Sequence, residues 1–149
     1  YNVDSEQSWL DWDRKGENWD VFRFFKEMIA FRKAHRSLGR SHFWRKDISW
    51  YGVGSHVDLS QDSRSLAHCL RGDAEGDDDI YVMINASDQS EEFVIQEARP
   101  NGWRRMIDTY LEGPNDIVGV KESLPLSSLE VAVQSRSIVV CLSCGNASD

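Results

Sequence analysis

From about residue 43 the apolar residues of this chain switch from a period near 3.6 to a period of two, and no other feature constrains its fold as strongly. A period of two places alternate side chains on opposite faces of an extended strand, so a run of such segments must form a sheet with a core on at least one side. Seven segments qualify: Ser49–Val53, Ser65–Arg71, Ile80–Asn85, Glu92–Gln96, Trp103–Asp108, Glu130–Val133 and Ser137–Leu142. Turn formers separate them, among them Gly54-Ser55, Gly72 to Asp79, Ala86 to Ser90, Pro100-Asn101-Gly102 and Gly113-Pro114-Asn115. Short strands spaced this way predict a mainly β fold, an antiparallel β-sandwich.

The preceding residues read differently. Residues 1–18 are polar and aromatic without a period and predict a loop. Residues 19–38 predict an amphipathic helix: Val21, Phe24, Phe25, Met28, Phe31 and Arg32 follow i, i+3, i+4, i+7 spacing, and Ile29 and Ala30 widen the apolar face. Asn18 or Asp20 is placed to cap its first turn. Arg32, Lys33, His35 and Arg36 lie near the negative end of its dipole, and Gly39 suits a left-handed stop. Phe24, Phe25, Met28 and Phe31 form a large apolar face for a lone helix beside a small sandwich. Docking onto a larger body is therefore expected, or dimerisation where that body is missing.

Composition narrows the function. With 25 acidic against 17 basic residues the net charge is −8, which repels phosphate backbones, and no nucleic acid is expected as a partner. No apolar run approaches the ~20 residues of a membrane span. Tyr1-Asn2-Val3-Asp4 has no signal organisation and no initiator Met, so the chain is expected to start within a longer polypeptide. Three cysteines favour a reducing compartment. Cys141 and Cys144 form a C-x-x-C with neither the second ligand pair of a zinc site nor a following helix, and read as plain thiols ending a strand. Asp77-Asp78-Asp79 lacks EF-hand spacing and reads as an exposed hairpin turn. No metal or cofactor is expected.

Chemistry is sparse. A glycoside hydrolase needs two opposed carboxylates on rigid elements, whereas Asp11 and Asp13 sit in the loop. There is no G-x-S-x-G, and His35, His42, His56 and His68 are scattered. His35 reads as a helix-dipole partner and His68 as a packed or surface strand residue. No catalytic residue is assigned. Trp9 and Trp12 beside Asp4, Asp11 and Asp13 are suited to sugar, because indole faces stack on pyranose rings, and equally suited to packing the loop. The sandwich aromatics Trp44, Trp50, Tyr51, Tyr81, Trp103 and Tyr110 form a second pool. They leave open a glucan-binding module, and Trp50 and Tyr51 must face opposite sides of their strand.

Asn2-Val3-Asp4-Ser5-Glu6 leading into Ser8-Trp9-Leu10-Asp11-Trp12, followed by the helix from Asp20 to His35, resembles isoamylase-type glycogen debranching enzymes of glycoside hydrolase family 13, the α-amylase superfamily. The similarity continues through Asp47 to Gly52, Ser63 to Ala67, Asp79 to Ala86, Trp103 to Thr109 and Arg136 to Leu142. It departs at Arg36, where that family usually has proline, and at Val3. The resemblance implies that residues 1–39 are the terminal loop and last helix of a catalytic (β/α)8 barrel, and that residues 40–149 are the C-terminal β-sandwich. The family's catalytic carboxylates lie upstream of residue 1. The loop after the eighth strand lies on the catalytic face of such barrels, so the resemblance makes Tyr1, Asn2, Asp4 and Trp9 candidates for sugar contact or cleft support. The implied partners are an α-glucan such as glycogen and the upstream barrel. The implied location is the cytoplasm, or the plastid in a plant.

Overall fold

A computed structural model describes residues 3–39, 41, 46–99 and 102–143. Tyr1, Asn2, Trp44, His42 and Cys144, named above, lie outside the described residues. A short helix α1 (Arg14–Glu17) and a long helix α2 (Trp19–Ala34) precede seven strands: β1 (Ile48–Tyr51), β2 (Ser65–Leu70), β3 (Ile80–Asn85), β4 (Glu91–Val94), β5 (Trp103–Asp108), β6 (Glu130–Val133) and β7 (Ser137–Ser143). All seven expected strands form, with ends shifted by two residues at most. Five build an antiparallel sheet in the order β1-β2-β3-β7-β5, and β4 pairs with β6 in a second sheet.

The strand pleat decides which layer each residue joins. Ala67, Cys69, Tyr81, Met83, Trp103, Val139 and Cys141 point from the large sheet toward Phe93, Val131 and Val133 of the small one, and this is the sandwich core. On the opposite face, Leu70, Ile80, Val140 and Leu142 meet Phe24, Met28 and Phe31 of α2, with Leu38 beyond it. The central strands are apolar at nearly every position, as in Ile80-Tyr81-Val82-Met83-Ile84, because both faces are covered. A bulge between Arg105 and Ile107 lets Met106 and Ile107 both enter the helix-side core.

Several expectations fail at the helix. Arg14–Glu17 is helical rather than loop. Neither Asn18 nor Asp20 caps α2; the Asn18 side chain donates instead to the Arg14 carbonyl at 2.9 Å, closing α1. The helix stops at Ala34, not Leu38, because His35 turns extended (φ −104°, ψ 105°), and a 3-10 turn, Arg36–Leu38, follows. Gly39 has φ −111°, so the left-handed stop is absent. The apolar face is also divided: Phe24, Met28 and Phe31 sit on the chain's own sheet, whereas Phe25 is 63% exposed and Ile29 54%. The chain's own sheet thus supplies part of the surface expected from a larger body.

Candidate functional site

The loop of residues 3–13 is held by local bonds. Backbone N–H groups of Ser8 and Trp9 both donate to the Ser5 carbonyl (2.9 and 3.1 Å), and the Ser8 hydroxyl donates to the carbonyls of Val3 and Ser5. Trp9 Nε1 donates to Asp4 Oδ1 at 2.6 Å, a charge-assisted bond that orients the indole. Of the four candidate sugar-contact residues, Asp4 and Trp9 are therefore brought together, and Tyr1 and Asn2 lie outside the described residues. Trp9 is 60% exposed and Trp12 67%, so in this chain neither packs the loop onto a core. Asp11 Oδ1 accepts from the Asp13 backbone N–H at 3.1 Å, a turn-forming role.

The second aromatic pool mostly dissolves into core. Tyr81 and Trp103 are buried, with ring centroids 5.6 Å apart, and half-buried Tyr51 stacks on Tyr81 at 5.9 Å. Trp50 faces the other way and is half exposed, tilted against His68 at 5.1 Å. Trp50 and Tyr110 are the two described members of the pool that present a substantial ring surface. Burial pushes the His68 imidazole below its ordinary range, and its Nδ1 has no hydrogen-bond partner.

Two polar clusters escaped sequence reasoning. In the first, His35 Nδ1 lies 2.9 Å from Asp77 Oδ1, while the Ser37 backbone N–H donates to Asp77 Oδ2 at 3.0 Å and the Ser37 hydroxyl donates to the same oxygen. His35 is thus a carboxylate partner rather than a dipole partner, and Asp77 belongs to a packed joint, not an exposed turn. Burial alone would raise the Asp77 carboxyl, but the bonds from Ser37 and His35 outweigh it and hold it below the usual range. Serine, histidine and aspartate meet here without catalytic order. The buried Ser37 hydroxyl bonds the carboxylate, not the imidazole, so no base is placed to activate it.

In the second cluster, buried Asp79 takes Arg99 Nε at 2.6 Å and the Gly72 N–H at 2.8 Å, correcting the exposed-turn reading for this residue too. Glu97 accepts from Tyr51 Oη at 2.7 Å and Arg71 Nη2 at 2.9 Å. Burial would raise the Glu97 carboxyl, yet the Tyr51 bond and the charges of Arg71 and Arg99 bring it below the usual range. Each carboxylate is neutralised by its neighbours, the arrangement of a structural clamp rather than of an acid and a base. Apart from the Gly72 N–H, these partners lie 20 or more residues away in sequence, so no local motif signals either cluster.

Cys69 and Cys141 are free and fully buried, and burial pushes both thiols up to about 12. Among the described residues no three metal-ligating side chains converge, and no helix is long and apolar enough to cross a membrane.

Residues 49–143 match the family model described as isoamylase 1-3, C-terminal. The chain is 36% identical over 123 residues to isoamylase 3, chloroplastic, of Oryza sativa subsp. japonica, covering 80% of this chain and 15% of that protein. It is 31% identical over 118 residues to the isoamylase of Pseudomonas amyloderamosa, again 15% of that protein and 73% of this chain. A type I pullulanase from Bacillus subtilis str. 168, solved with maltose, shares the fold at a TM-score of 0.61 and 22% identity, over 91% of this chain and 17% of that one. The chain thus spans about a sixth of the length of these proteins. Mainly antiparallel strands, a long helix packed on the larger sheet, and the match over residues 49–143 agree: this chain belongs to the isoamylase C-terminal domain family.

Proposed function

We propose that this chain is the terminal part of an enzyme that hydrolyses α-1,6 branch links in glycogen or a similar α-glucan, and that its own role is structural rather than catalytic. In this reading residues 1–39 complete the catalytic barrel, residues 40–149 are the β-domain that braces it, and the enzyme works where α-glucan is stored, in a cytosol or a plastid. The observation that carries it is the half-seated helix. Phe24, Met28 and Phe31 seat α2 on the large sheet, while Val21, Phe25 and Ile29 continue the same apolar face into solvent as a bare stripe, where Phe25 and Ile29 border an open apolar cleft with Ile80, Val82 and Val140. An apolar face wider than the sheet that seats it calls for a second body, and the second body here is the barrel. The Asp4–Trp9 pair, with Tyr1 and Asn2 beside it in sequence, then lies at the outer substrate cleft.

The test is a chimera in which this chain replaces the matching end of the Pseudomonas amyloderamosa isoamylase. Glycogen debranching near the parent level is expected from the chimera and none from the chain alone. Phe25→Asp with Ile29→Asp should abolish the chimera's activity while leaving the isolated chain folded. Branch hydrolysis by the isolated chain would overturn the structural role, and full activity of the double-aspartate chimera would overturn the docking of the stripe. In the isolated chain the same stripe drives self-association, and the double variant should sediment as a monomer.

A further inference from the structure

The chain carries net charge −8, yet between Glu27 and Asp47 its sequence contains no carboxylate. Within this stretch Arg32 and Lys33 on the last turn of α2 and Arg36 on the following 3-10 turn line one cleft of about 430 Å³, together with Ile29, His35, Gly39 and Glu75. Elsewhere Arg104 donates to the Ser123 carbonyl, and four arginines hold carboxylates, Arg23 with Asp116, Arg71 with Glu97, Arg99 with Asp79 and Arg105 with Asp108. Among the described residues Arg32, Lys33 and Arg36 hold none. The cleft has a fixed wall, since the His35 ring is pinned through Nδ1 to Asp77 and Ser37 is buried beneath it.

We propose that this cleft is a binding site for a phosphate monoester, carried either by an α-glucan chain or by a free sugar phosphate. Cations at a helix C-terminus already complement the dipole, so the charge balance must be weighed. The dipole contributes roughly half a negative charge, Glu75 contributes one, and Asp77, bonded to His35 in the cleft wall, contributes another, against the three cations that line the cleft. A positive excess remains. A phosphate presents three oxygens and up to two negative charges, enough to satisfy two planar guanidinium forks and an ammonium together. A carboxylate has only two oxygens and leaves one cation unmet.

The experiment is an NMR titration of the chain with inorganic phosphate, glucose 6-phosphate and a phosphorylated maltodextrin, with glucose as the uncharged control, following the Nε–H signals of Arg32 and Arg36. Saturable shifts with Kd in roughly the millimolar range, weakened by salt and absent with glucose, are expected. Arg32→Gln and Arg36→Gln, both at exposed positions, should each weaken binding about tenfold, while Lys26→Gln, a helix cation outside the cleft, should not. Far-UV circular dichroism confirms that each variant is folded. Tighter binding of the phosphorylated maltodextrin assigns the glucan as the source, and tighter binding of glucose 6-phosphate assigns the free ester. Shifts that fail to saturate, shifts unchanged in both arginine variants, or binding of an acidic peptide without any binding of phosphate would each overturn the site.

Discussion

Two ion pairs of the same clamp sit at different depths, and depth decides what each contributes. The Asp79 side chain is 4% exposed and accepts from Arg99 and the Gly72 N–H, whereas the Arg71 side chain that reaches Glu97 is 44% exposed. Asp79→Asn removes the nearer of the two carboxylates that hold the largely buried Arg99 guanidinium, leaving Glu97 at 3.4 Å, and should cost about 3 kcal/mol in urea denaturation. Arg71→Gln removes a pair screened by solvent and should cost under about 1 kcal/mol. Gly72 belongs to the same joint: a Cβ there would strike the Asp77 and Asp78 carbonyls, which only backbone movement could relieve. The carboxyls of Asp77 and Glu97 add a pH signature. Both lie below their ordinary values of 3.8 and 4.5, so the stability they contribute is present at neutral pH. It is lost as pH falls below about 4.5 and through the lower folded values. Asp77→Asn and Glu97→Gln should therefore each flatten the acid limb of a stability-versus-pH curve, as read by denaturant midpoints about one pH unit apart.

Element by element, period was a sound guide wherever packing is set by alternation. Every strand formed where residues alternate or run apolar, because a pleated sheet sorts neighbours by parity alone. The helix was legible in its middle and not at its ends. His35 leaves the helix to meet Asp77, 42 residues away, and a contact that distant outweighs the local signals that favoured continuing to Leu38. The same range effect hid the burial of Asp79 and the whole second cluster. Of the loop site, sequence reasoning chose Asp4 and Trp9 singly, and their mutual bond came only with the structure. The division of α2 into a seated edge and a bare stripe carries its own measurement. Phe31→Ala removes a ring packed on the sheet-side core and should cost roughly 2–4 kcal/mol, while Phe25→Ala, mostly in solvent, should change the stability of the isolated chain by less than about 0.5 kcal/mol.

At the scale of the molecule, one sheet serves two cores, and this couples layers that share no side chains. Strands β2, β3 and β7 send Cys69, Tyr81 and Cys141 toward the small sheet and Leu70, Ile80 and Leu142 toward α2. Neither core can open without disturbing the backbone that supports the other, so the described residues should unfold as one cooperative unit. The two buried thiols report on this directly. Each is fully enclosed and pushed up to about 12, so at pH 8 the thiol form dominates at both positions, and no reagent reaches it in the folded chain. In a Cys144→Ala background, labelling of Cys69 and Cys141 by an aromatic disulfide should proceed at a single shared rate. That rate should rise with urea along the same slope as global unfolding followed by tryptophan fluorescence. Faster labelling of Cys141 than of Cys69, with a shallower urea dependence, would mean that β7 opens separately and that the shared sheet does not bind the two layers into one unit.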